Sequence, residues 1–377
     1  MKNLRKKNIQ IGKRSASTPL FMPDATRGLV KLTTGEELKT AGVKAVVVNT
    51  LHLFLNPGTG VIKRVDKAKR NYKKGIHKFM NWDGLVLSDS GGFQVFSLIH
   101  KNPRNGKIGE DKVVFKSPWD GSRQELSPEK SIQIQFDLGV DMMVCLDDCP
   151  PNEFSREKMK SSIERTLRWA RRCRQEYDKQ VKKRNIPGEE KPLLFSVIQG
   201  GPYVDLRKYC AEELVKIGFD GYGFGARPVD KEGNFLEEAL RATAGFIPEN
   251  SWRFGLGIGL PEDILRCAYM GWDLFDCVIP TREGRHGKLF SFKKRNKKLP
   301  QSKNFNNFYE VFNINNQRFK TDFSPINKKS QIPELRNYSR SYLQHLFKIK
   351  EPLGPKLASL NNLEFYSLLL DIIRQKK

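Results

Sequence analysis

Eight short apolar runs recur along the chain, and this repetition constrains its fold more than any other feature. The runs are Thr18–Pro23, Val43–Thr50, Leu85–Asp89, Met142–Asp148, Leu193–Gln199, Phe219–Gly225, Arg253–Gly259 and Leu274–Pro280. Stretches of helical periodicity separate most of them, and eight strands alternating with helices are typical of a (β/α)8 barrel. A doubly wound open sheet is the alternative, but no Gly-x-Gly-x-x-Gly motif opens a helix after the first strand. The sequence therefore predicts an α/β fold of the TIM-barrel type.

The stretches between the runs carry recognisable helix signals. Predicted helices cover Thr34–Ala41, Glu129–Leu138, Glu153–Arg184 and Tyr203–Ile217, and a further helix opens at Pro261. Ser127-Pro128 supplies an N-cap and a proline at the first helical position of the second of these helices. These signals support the alternation of strands and helices that a barrel requires.

Two stretches interrupt the alternation. Val113–Glu125, which turns at Trp119-Asp120-Gly121, predicts a β-hairpin inserted after the third strand. Lys293–Asn316 is polar and asparagine-rich, and it predicts an irregular joint. Beyond the joint, Tyr338–Lys348 and Asn362–Gln375 have helical patterns. We therefore expect a barrel domain over residues 1–290 and a small, basic, helical C-terminal subdomain over residues 291–377, packed on the barrel.

The charge of the chain is strongly positive. Its formal net charge is +25, and from Ser291 to Lys377 there are 18 Lys or Arg against 6 Asp or Glu, a net of +12. An excess of this size favours a polyanionic partner, most often a nucleic acid, over a surface that is merely solubilising.

The cysteines and the apolar segments indicate the cellular compartment. The six cysteines form no Cys-x-x-Cys pair, and four lie in or beside apolar runs. We interpret them as reduced thiols in a cytoplasmic protein. No apolar run approaches about 18 residues, and the basic start Met1–Lys7 is not followed by the apolar segment of a signal peptide. We therefore expect no membrane partner.

Polar side chains and glycines gather where the predicted strands end. They include Asp89, Ser90, Asp147, Asp148, Gln199, Gly225, Gly257 and Asp276. The C-terminal ends of barrel strands share one face, and active sites lie there. Carboxylates and an amide can pair with the edge of a flat heteroaromatic ring, and glycines let the ring lie against backbone. Phe93 and Leu256 are placed to sandwich such a ring.

The same constellation permits chemistry on a sugar. Two carboxylates that face each other across a sugar can break a glycosidic bond, one as nucleophile and one as acid/base. After the last strand, Arg282 and Arg285 suit the phosphate oxygens or base edges of a nucleic acid. The structural alternatives are strand-end caps for the aspartates and a solvated loop for the arginines.

At these residues the chain resembles a known family, the tRNA-guanine transglycosylases. The resemblance is carried by Ser88-Asp89-Ser90-Gly91-Gly92-Phe93-Gln94, Ser196-Val197-Ile198-Gln199-Gly200-Gly201 and Phe275-Asp276-Cys277-Val278-Ile279-Pro280-Thr281-Arg282. It extends from about Phe21 to the C-terminal helix. These enzymes exchange the guanine at the anticodon wobble position of tRNA for a 7-deazaguanine on the way to queuosine. The resemblance implies a TIM barrel, usually homodimeric, that uses tRNA and a free base.

The resemblance also implies roles for individual residues. Asp276 would be the nucleophile on the ribose C1′, giving a covalent RNA–enzyme intermediate, and Asp89 the general acid/base. The residues implied to bind the base are Ser90, Gly91, Gly92, Phe93, Asp147, Gln199, Gly200, Gly225, Ala226 and Leu256. The residues implied to contact RNA are Gly257, Ile258, Gly259, Leu260, Pro261, Glu262, Asp263, Thr281, Arg282, Glu283, Gly284 and Arg285.

The first departure from the family concerns zinc. The family usually binds zinc in its C-terminal subdomain through Cys-x-Cys-x-x-Cys and a later His, and those positions are Ser330, Ile332, Leu335 and Asn361 here. No cysteine follows Cys277, so we expect no zinc and no other cofactor. Ile332 and Leu335 are predicted to form a small apolar plug instead, packed on Tyr338 and on a terminal helix. That helix would contribute Leu363, Phe365 and Tyr366.

The second departure follows the sixth strand. The family's Gly-Gly-Leu-Ala-Val-Gly-Glu is Gly225-Ala226-Arg227-Pro228-Val229-Asp230-Lys231 here. In the family this segment meets the substituent of the incoming base, so the identity of that base stays open.

Two other functions compete with base exchange. A non-catalytic tRNA-binding paralogue or accessory subunit would keep the barrel and the basic surface, but the presence of both Asp89 and Asp276 favours the enzyme. A TIM-barrel glycosidase acting on carbohydrate would need no basic excess, so the charge argues against it.

Overall fold

The computed structural model describes residues 4–5, 7–65, 75–293, 299–300 and 305–375. Within them the strands are β1 (Asn8–Ile11), β2 (Arg14–Ser17), β3 (Leu20–Pro23), β4 (Ala45–Asn49), β5 (Leu85–Asp89), β6 (Gly106–Ile108), β7 (Val113–Lys116), β8 (Arg123–Leu126), β9 (Met142–Val144), β10 (Leu193–Ile198), β11 (Gly221–Phe224), β12 (Trp252–Gly255), β13 (Leu274–Cys277), β14 (Lys288–Phe292) and β15 (Tyr309–Asn313). The helices are α1 (Gly35–Thr40), α2 (Thr50–Leu55), α3 (Thr59–Arg64), α4 (Gly75–Met80), α5 (Gly92–Lys101), α6 (Pro128–Leu138), α7 (Arg156–Lys183), α8 (Val204–Ile217), α9 (Glu237–Phe246), α10 (Pro261–Tyr269), α11 (Ile279–Arg285), α12 (Pro333–Asn337), α13 (Arg340–Lys348) and α14 (Leu353–Gln375).

Eight parallel strands form the central sheet, in the order β3-β13-β12-β11-β10-β9-β5-β4. The two end strands meet where Asp24 bridges Val47 and the Ala25 N–H donates to the Val47 carbonyl at 2.7 Å. Each of the eight apolar runs in the sequence matches one of these strands, with β12 beginning at Trp252, one residue before its run. The predicted barrel is confirmed, and an open doubly wound sheet is excluded.

The barrel strands are buried on both faces, which explains why they appear in the sequence as continuous apolar runs. Along β4, Val47 belongs to a cluster with Leu87 and Val144 that fills the barrel interior. Its neighbours Val46 and Val48 belong to the larger cluster between the strands and the surrounding helices. Alternate side chains along a strand point to opposite faces, so each strand contributes to both clusters.

The inserted hairpin is confirmed, whereas the joint is only partly irregular. β7 and β8 pair in antiparallel fashion from Val113↔Leu126 to Lys116↔Arg123. Within the predicted joint, β15 pairs with β14 from Lys288↔Asn313 to Phe292↔Tyr309, so the expectation of an irregular stretch is wrong for Tyr309–Asn313. β15 has the sequence Tyr-Glu-Val-Phe-Asn, and the polar, asparagine-rich residues on both sides of it made this short strand hard to recognise. Of the basic run at 293–298, all but Lys293 lies outside the described residues.

Two helices differ from expectation near the C-terminus. α14 begins at Leu353, nine residues before the predicted start at Asn362. Thr281–Arg285, where a solvated loop was one alternative, lies in α11. α11 packs on α14, and an added Cβ at Gly284 would lie 2.7 Å from the Ser359 backbone. No helix in the described part of the chain is long and apolar enough to cross a membrane.

The four positions aligned with zinc ligands are buried and do not fit a metal. Ile332 and Leu335 are 3% and 0% exposed and belong to the same apolar cluster as Leu363. The Ser330 hydroxyl accepts the Ile332 N–H at 2.9 Å, and the Asn361 amide donates to the Phe290 carbonyl at 3.1 Å. Two aliphatic side chains offer no donor atoms to zinc. Tyr338 is 36% exposed and its ring contacts Tyr342, and the packing of the plug on Tyr338 stays a prediction.

We expect the purified protein to contain no stoichiometric zinc and to melt at the same temperature with and without a strong chelator. Burying two aliphatic side chains contributes roughly 3–6 kcal/mol, and that contribution does not depend on a metal. Elemental analysis and paired melting curves test this. One zinc per chain, or a lower melting temperature in chelator, would contradict it.

Candidate active site

A cavity of about 350 Å³ lies at the C-terminal ends of the barrel strands. It is lined by Val47, Leu87, Asp89, Ser90, Gly91, Phe93, Gln94, Val144, Asp147, Cys149, Val197, Phe224, Gly225, Ala226, Arg227, Pro228, Phe254, Leu256, Gly257, Asp276, Cys277 and Val278. Three of the four strand-end carboxylates that the sequence singled out, Asp89, Asp147 and Asp276, therefore share one cavity. Its size and its mainly apolar wall with a few polar groups are typical of small-molecule sites.

Asp89 ends β5 and is held by donors from two neighbouring elements. The Asn49 amide donates to its Oδ2 at 2.7 Å and the Gln94 amide at 3.3 Å, while the Gly91 N–H donates to Oδ1 at 3.1 Å. Burial raises the pKa of Asp89 to about 6 against these hydrogen bonds. A carboxyl with such a pKa can hold or release a proton near neutral pH, as a general acid/base must. Asn49 is a site residue that the sequence analysis missed, although its position at a strand end was a usable signal.

Asp147 follows β9 and is 7% exposed. Its Oδ2 accepts a hydrogen bond from the Gln199 amide at 2.6 Å. Burial raises the pKa of Asp147 to about 7 against this bond, and the charge of Asp148 acts in the same direction as burial. Asp148 itself pairs with Arg165. Asp147 is thus the carboxyl that lines the cavity, whereas Asp148 lies outside the lining and forms an ion pair with Arg165.

Gln199, Gly200 and Gly92 are buried beside the cavity and do not form its wall. An added Cβ at Gly225 would overlap the Gln199 amide, so the glycine leaves room for the side chain that holds Asp147. Gln199 therefore acts on the cavity through Asp147 in this structure.

Asp276 lies on β13, opposite the strands that carry Asp89 and Asp147 in the barrel order. The Gly257 N–H donates to its Oδ1 at 3.0 Å. Burial raises the pKa of Asp276 to about 7 against this bond, and the carboxylates of Asp89 and Asp24 act in the same direction as burial. Asp89 and Asp276 thus influence each other's ionisation.

The loop after β11 forms one wall of the cavity. Ala226 has a φ of +71°, which strains a residue with a Cβ. The Asn152 amide donates to the carbonyls of Arg227 and Val229 at 3.1 and 3.0 Å. Arg227 lines the cavity, and its guanidinium forms no ion pair with any described residue. Lys231 instead lies outside the cavity, 3.4 Å from Glu232.

Phe93 and Leu256 both line the cavity, as the predicted sandwich requires. Phe93 is 54% exposed in the first turn of α5. Such exposure of a large aromatic side chain leaves its ring face available to a ligand.

The segments implied to contact RNA lie beside Asp276, and the structure divides them into buried and accessible residues. Ile258, Gly259, Pro261, Thr281 and Gly284 are buried, whereas Gly257, Leu260 and Arg282 are exposed and Glu262, Asp263, Glu283 and Arg285 are intermediate. In this conformation only the accessible residues can contact RNA directly. The buried residues support the backbone beneath them.

Comparison with known proteins identifies the family of this chain. The sequence model of the queuine tRNA-ribosyltransferase family matches residues 2–376. A queuine tRNA-ribosyltransferase of Halothermothrix orenii is 40% identical over 357 residues, which cover 95% of this chain and 86% of that protein. One from Staphylococcus aureus strain JH9 is 39% identical over 361 residues, or 96% of this chain and 86% of that protein. The chain belongs to the queuine tRNA-ribosyltransferase family of enzymes.

Proposed function

We propose that the protein exchanges guanine at the anticodon wobble position of tRNA for a 7-deazaguanine, through a covalent bond between Asp276 and the ribose. The observation that carries this proposal is the meeting of Asp89, Asp147 and Asp276 around one cavity of about 350 Å³. A cavity with that lining suits a flat base, and two carboxylates suit the cleavage of its bond to the sugar.

The proposed reaction has two steps. In the first, an Asp276 oxygen bonds to the ribose C1′ while the bond to guanine breaks, and Asp89 gives its proton to the leaving base. In the second, the incoming base gives a proton to Asp89 and bonds to C1′, which releases Asp276. The second step returns to Asp89 the proton that the first step removed, so no other reactant is needed. Asp147, steadied by Gln199, would bind the edge of the base.

The tRNA would be held beside Asp276 by the accessible residues of the two RNA segments. Arg282 has half of its side chain exposed, and a guanidinium there can pair with phosphate oxygens. The homodimer implied by the family stays a prediction, which light scattering on the purified protein tests.

Incorporation of labelled guanine into tRNA tests the proposed exchange. Wild type is expected to label a tRNA with guanine at the wobble position and to leave the same tRNA with adenine there unlabelled. A denaturing gel should show a protein–RNA adduct with the first tRNA. Binding of tRNA without label or adduct would instead support a non-catalytic tRNA-binding subunit.

Arg227 is expected to select against bases that carry a cationic substituent. Arg227 lines the cavity, is exposed, and has no carboxylate partner among the described residues, so its guanidinium, when turned toward the bound base, repels a second cation. Arg227→Leu should raise the use of an aminomethyl-deazaguanine relative to guanine by roughly 2- to 10-fold. Competition of the two bases for exchange measures the ratio. Lys231→Leu, which removes a cation outside the cavity, is the control, and equal ratios in both variants would contradict the prediction.

A further inference from the structure

The terminal helix α14 holds the segments on both sides of Asp276. Tyr366 is 1% exposed, and its hydroxyl donates to the Gly259 carbonyl in the loop after β12. Asn362 is fully buried, and its amide donates to the Pro280 carbonyl at 2.9 Å, just after β13. Because Asn362 and Tyr366 are four residues apart, they lie on the same side of the helix.

The hydrogen bond from Tyr366 to Gly259 is connected to Asp276 through the backbone of Ile258 and Gly257. Gly257 donates its N–H to the Asp276 carboxylate, and Ile258 between them is 1% exposed. An added Cβ at Gly259 would overlap Cys277, the residue after Asp276. The segment 257–259 is therefore confined between the end of β13 and the Tyr366 hydroxyl. A shift at Gly259 moves the Gly257 N–H relative to the carboxylate.

The hydrogen bond from Asn362 to the Pro280 carbonyl is accompanied by other hydrogen bonds of the same side chain. Asn362 also donates to the Lys288 carbonyl at 2.9 Å and accepts the Phe290 N–H at 3.0 Å. One side chain thus links the start of α11 to β14. Since α11 follows directly from the strand that carries Asp276, α14 restrains the nucleophile from this side as well.

We propose that Tyr366 and Asn362 are positioning residues for Asp276, through which the C-terminal helix sets the rate of the covalent step. This inference rests on the proposed function. Nucleophilic attack depends on alignment, and a misplacement of about 1 Å can cost roughly 100-fold in rate. The Gly257 N–H also favours the ionised nucleophile, whereas the carboxyls of Asp89 and Asp24 face Asp276 and oppose its ionisation.

The test compares Tyr366→Phe with Tyr177→Phe. Both tyrosines are buried and both hydroxyls donate to a backbone carbonyl, but Tyr177 bonds Pro192 at the opposite end of the barrel, where β10 begins. In Tyr366→Phe the ring keeps its contacts, including the one with Phe21 at 4.8 Å between centroids. The measurements are the adduct-formation rate at saturating tRNA, the Kd for tRNA, the melting temperature and the pH dependence of the rate.

Both variants are expected to lose melting temperature to a similar extent and to keep the wild-type Kd. Only Tyr366→Phe should form the adduct more slowly, by roughly 10- to 100-fold, with the acidic limb of its pH profile moved to higher pH. Asn362→Asp, which keeps the acceptor for Phe290 and loses the two donor bonds, should slow the same step.

Equal adduct-formation rates in Tyr366→Phe and Tyr177→Phe, with wild-type rates in Asn362→Asp, would overturn the inference while leaving the proposed function intact. A wild type that forms no adduct would overturn the proposed function and this inference together. If Tyr366→Phe does not fold, the rate of Asn362→Asp decides the matter in the same way.

Discussion

Asp276→Asn is expected to abolish base exchange, to form no covalent adduct with tRNA, and to be more stable than wild type at pH 8. Loss of a nucleophile should lower the exchange rate by at least about 10⁴-fold. Affinity for tRNA should stay close to that of wild type, because the side chain supplies chemistry rather than phosphate contacts. The asparagine keeps an oxygen for the Gly257 N–H, which donates at 3.0 Å in wild type.

The gain in stability follows from the raised pKa of Asp276, about 7 against an ordinary 3.8. Between these values the folded wild type binds more protons than the unfolded chain, so the stability of wild type falls as pH rises through this window. Asp276→Asn has no carboxyl at this position, so its stability should not fall in this way. Its advantage should be roughly 1–3 kcal/mol at pH 8, allowing for partial exposure to solvent, and should shrink as pH falls toward 4. Denaturant titrations at several pH values measure it.

Asp273→Asn is the matched control for this prediction. Asp273 precedes the same strand at the opposite end of the barrel, is fully buried, and also has a pKa raised by burial, to about 6. It pairs with Arg5 at 3.1 Å and accepts the Arg253 N–H at 2.9 Å. Its replacement should lower stability and leave the adduct intact. An adduct that persists in Asp276→Asn would show that another residue is the nucleophile.

Asp89→Asn is expected to slow exchange by roughly 10²- to 10⁴-fold, the usual cost of losing a general acid/base. Asp276 stays in place, so a slow adduct should still accumulate over long incubation, in contrast to Asp276→Asn. Quenched time courses on denaturing gels separate the two variants. A wild-type exchange rate in Asp89→Asn would remove this residue from the mechanism.

The pH dependence of the exchange rate provides a second test of the role of Asp89. The pKa values of Asp89 and Asp276, about 6 and about 7, describe a pair that carries one proton mainly between those values. The proposed first step needs the form of that singly protonated pair in which Asp89 carries the proton, and this is the minor form because Asp276 has the higher pKa. Its population still peaks between the two values, so wild-type exchange should pass through a maximum there and fall on both sides. Asp89→Asn should lose the limb of the bell that depends on Asp89, because Asp276 and Asp147, with pKa values of about 7, are then the cavity carboxyls that titrate in that range. Circular dichroism checks that the variant is folded, since Asn49 and Gln94 donate to the replaced carboxylate.

Local pattern was sufficient to predict the barrel and the meeting of its carboxylates. Strands buried on both faces produce apolar runs, and parallel strands end on one face. It follows from these two facts that Asp89, Asp147 and Asp276 converge without any contact being known in advance. The hairpin at Val113–Leu126 was equally accessible, because alternation and turn residues are local signals.

What the sequence could not supply are the contacts between distant segments. The Gln199 amide donates to Asp147 without lining the cavity, and Arg227 lines the cavity while Lys231 does not. β15 pairs with β14 although the stretch around it is polar and asparagine-rich. The Tyr366 hydroxyl meets the Gly259 carbonyl across 107 positions of chain. Periodicity reports which face of an element is buried, but not which partner covers it. The sequence itself therefore determined which carboxylates meet at the site. Only the tertiary packing of the C-terminal helix decided how Asp276 is held.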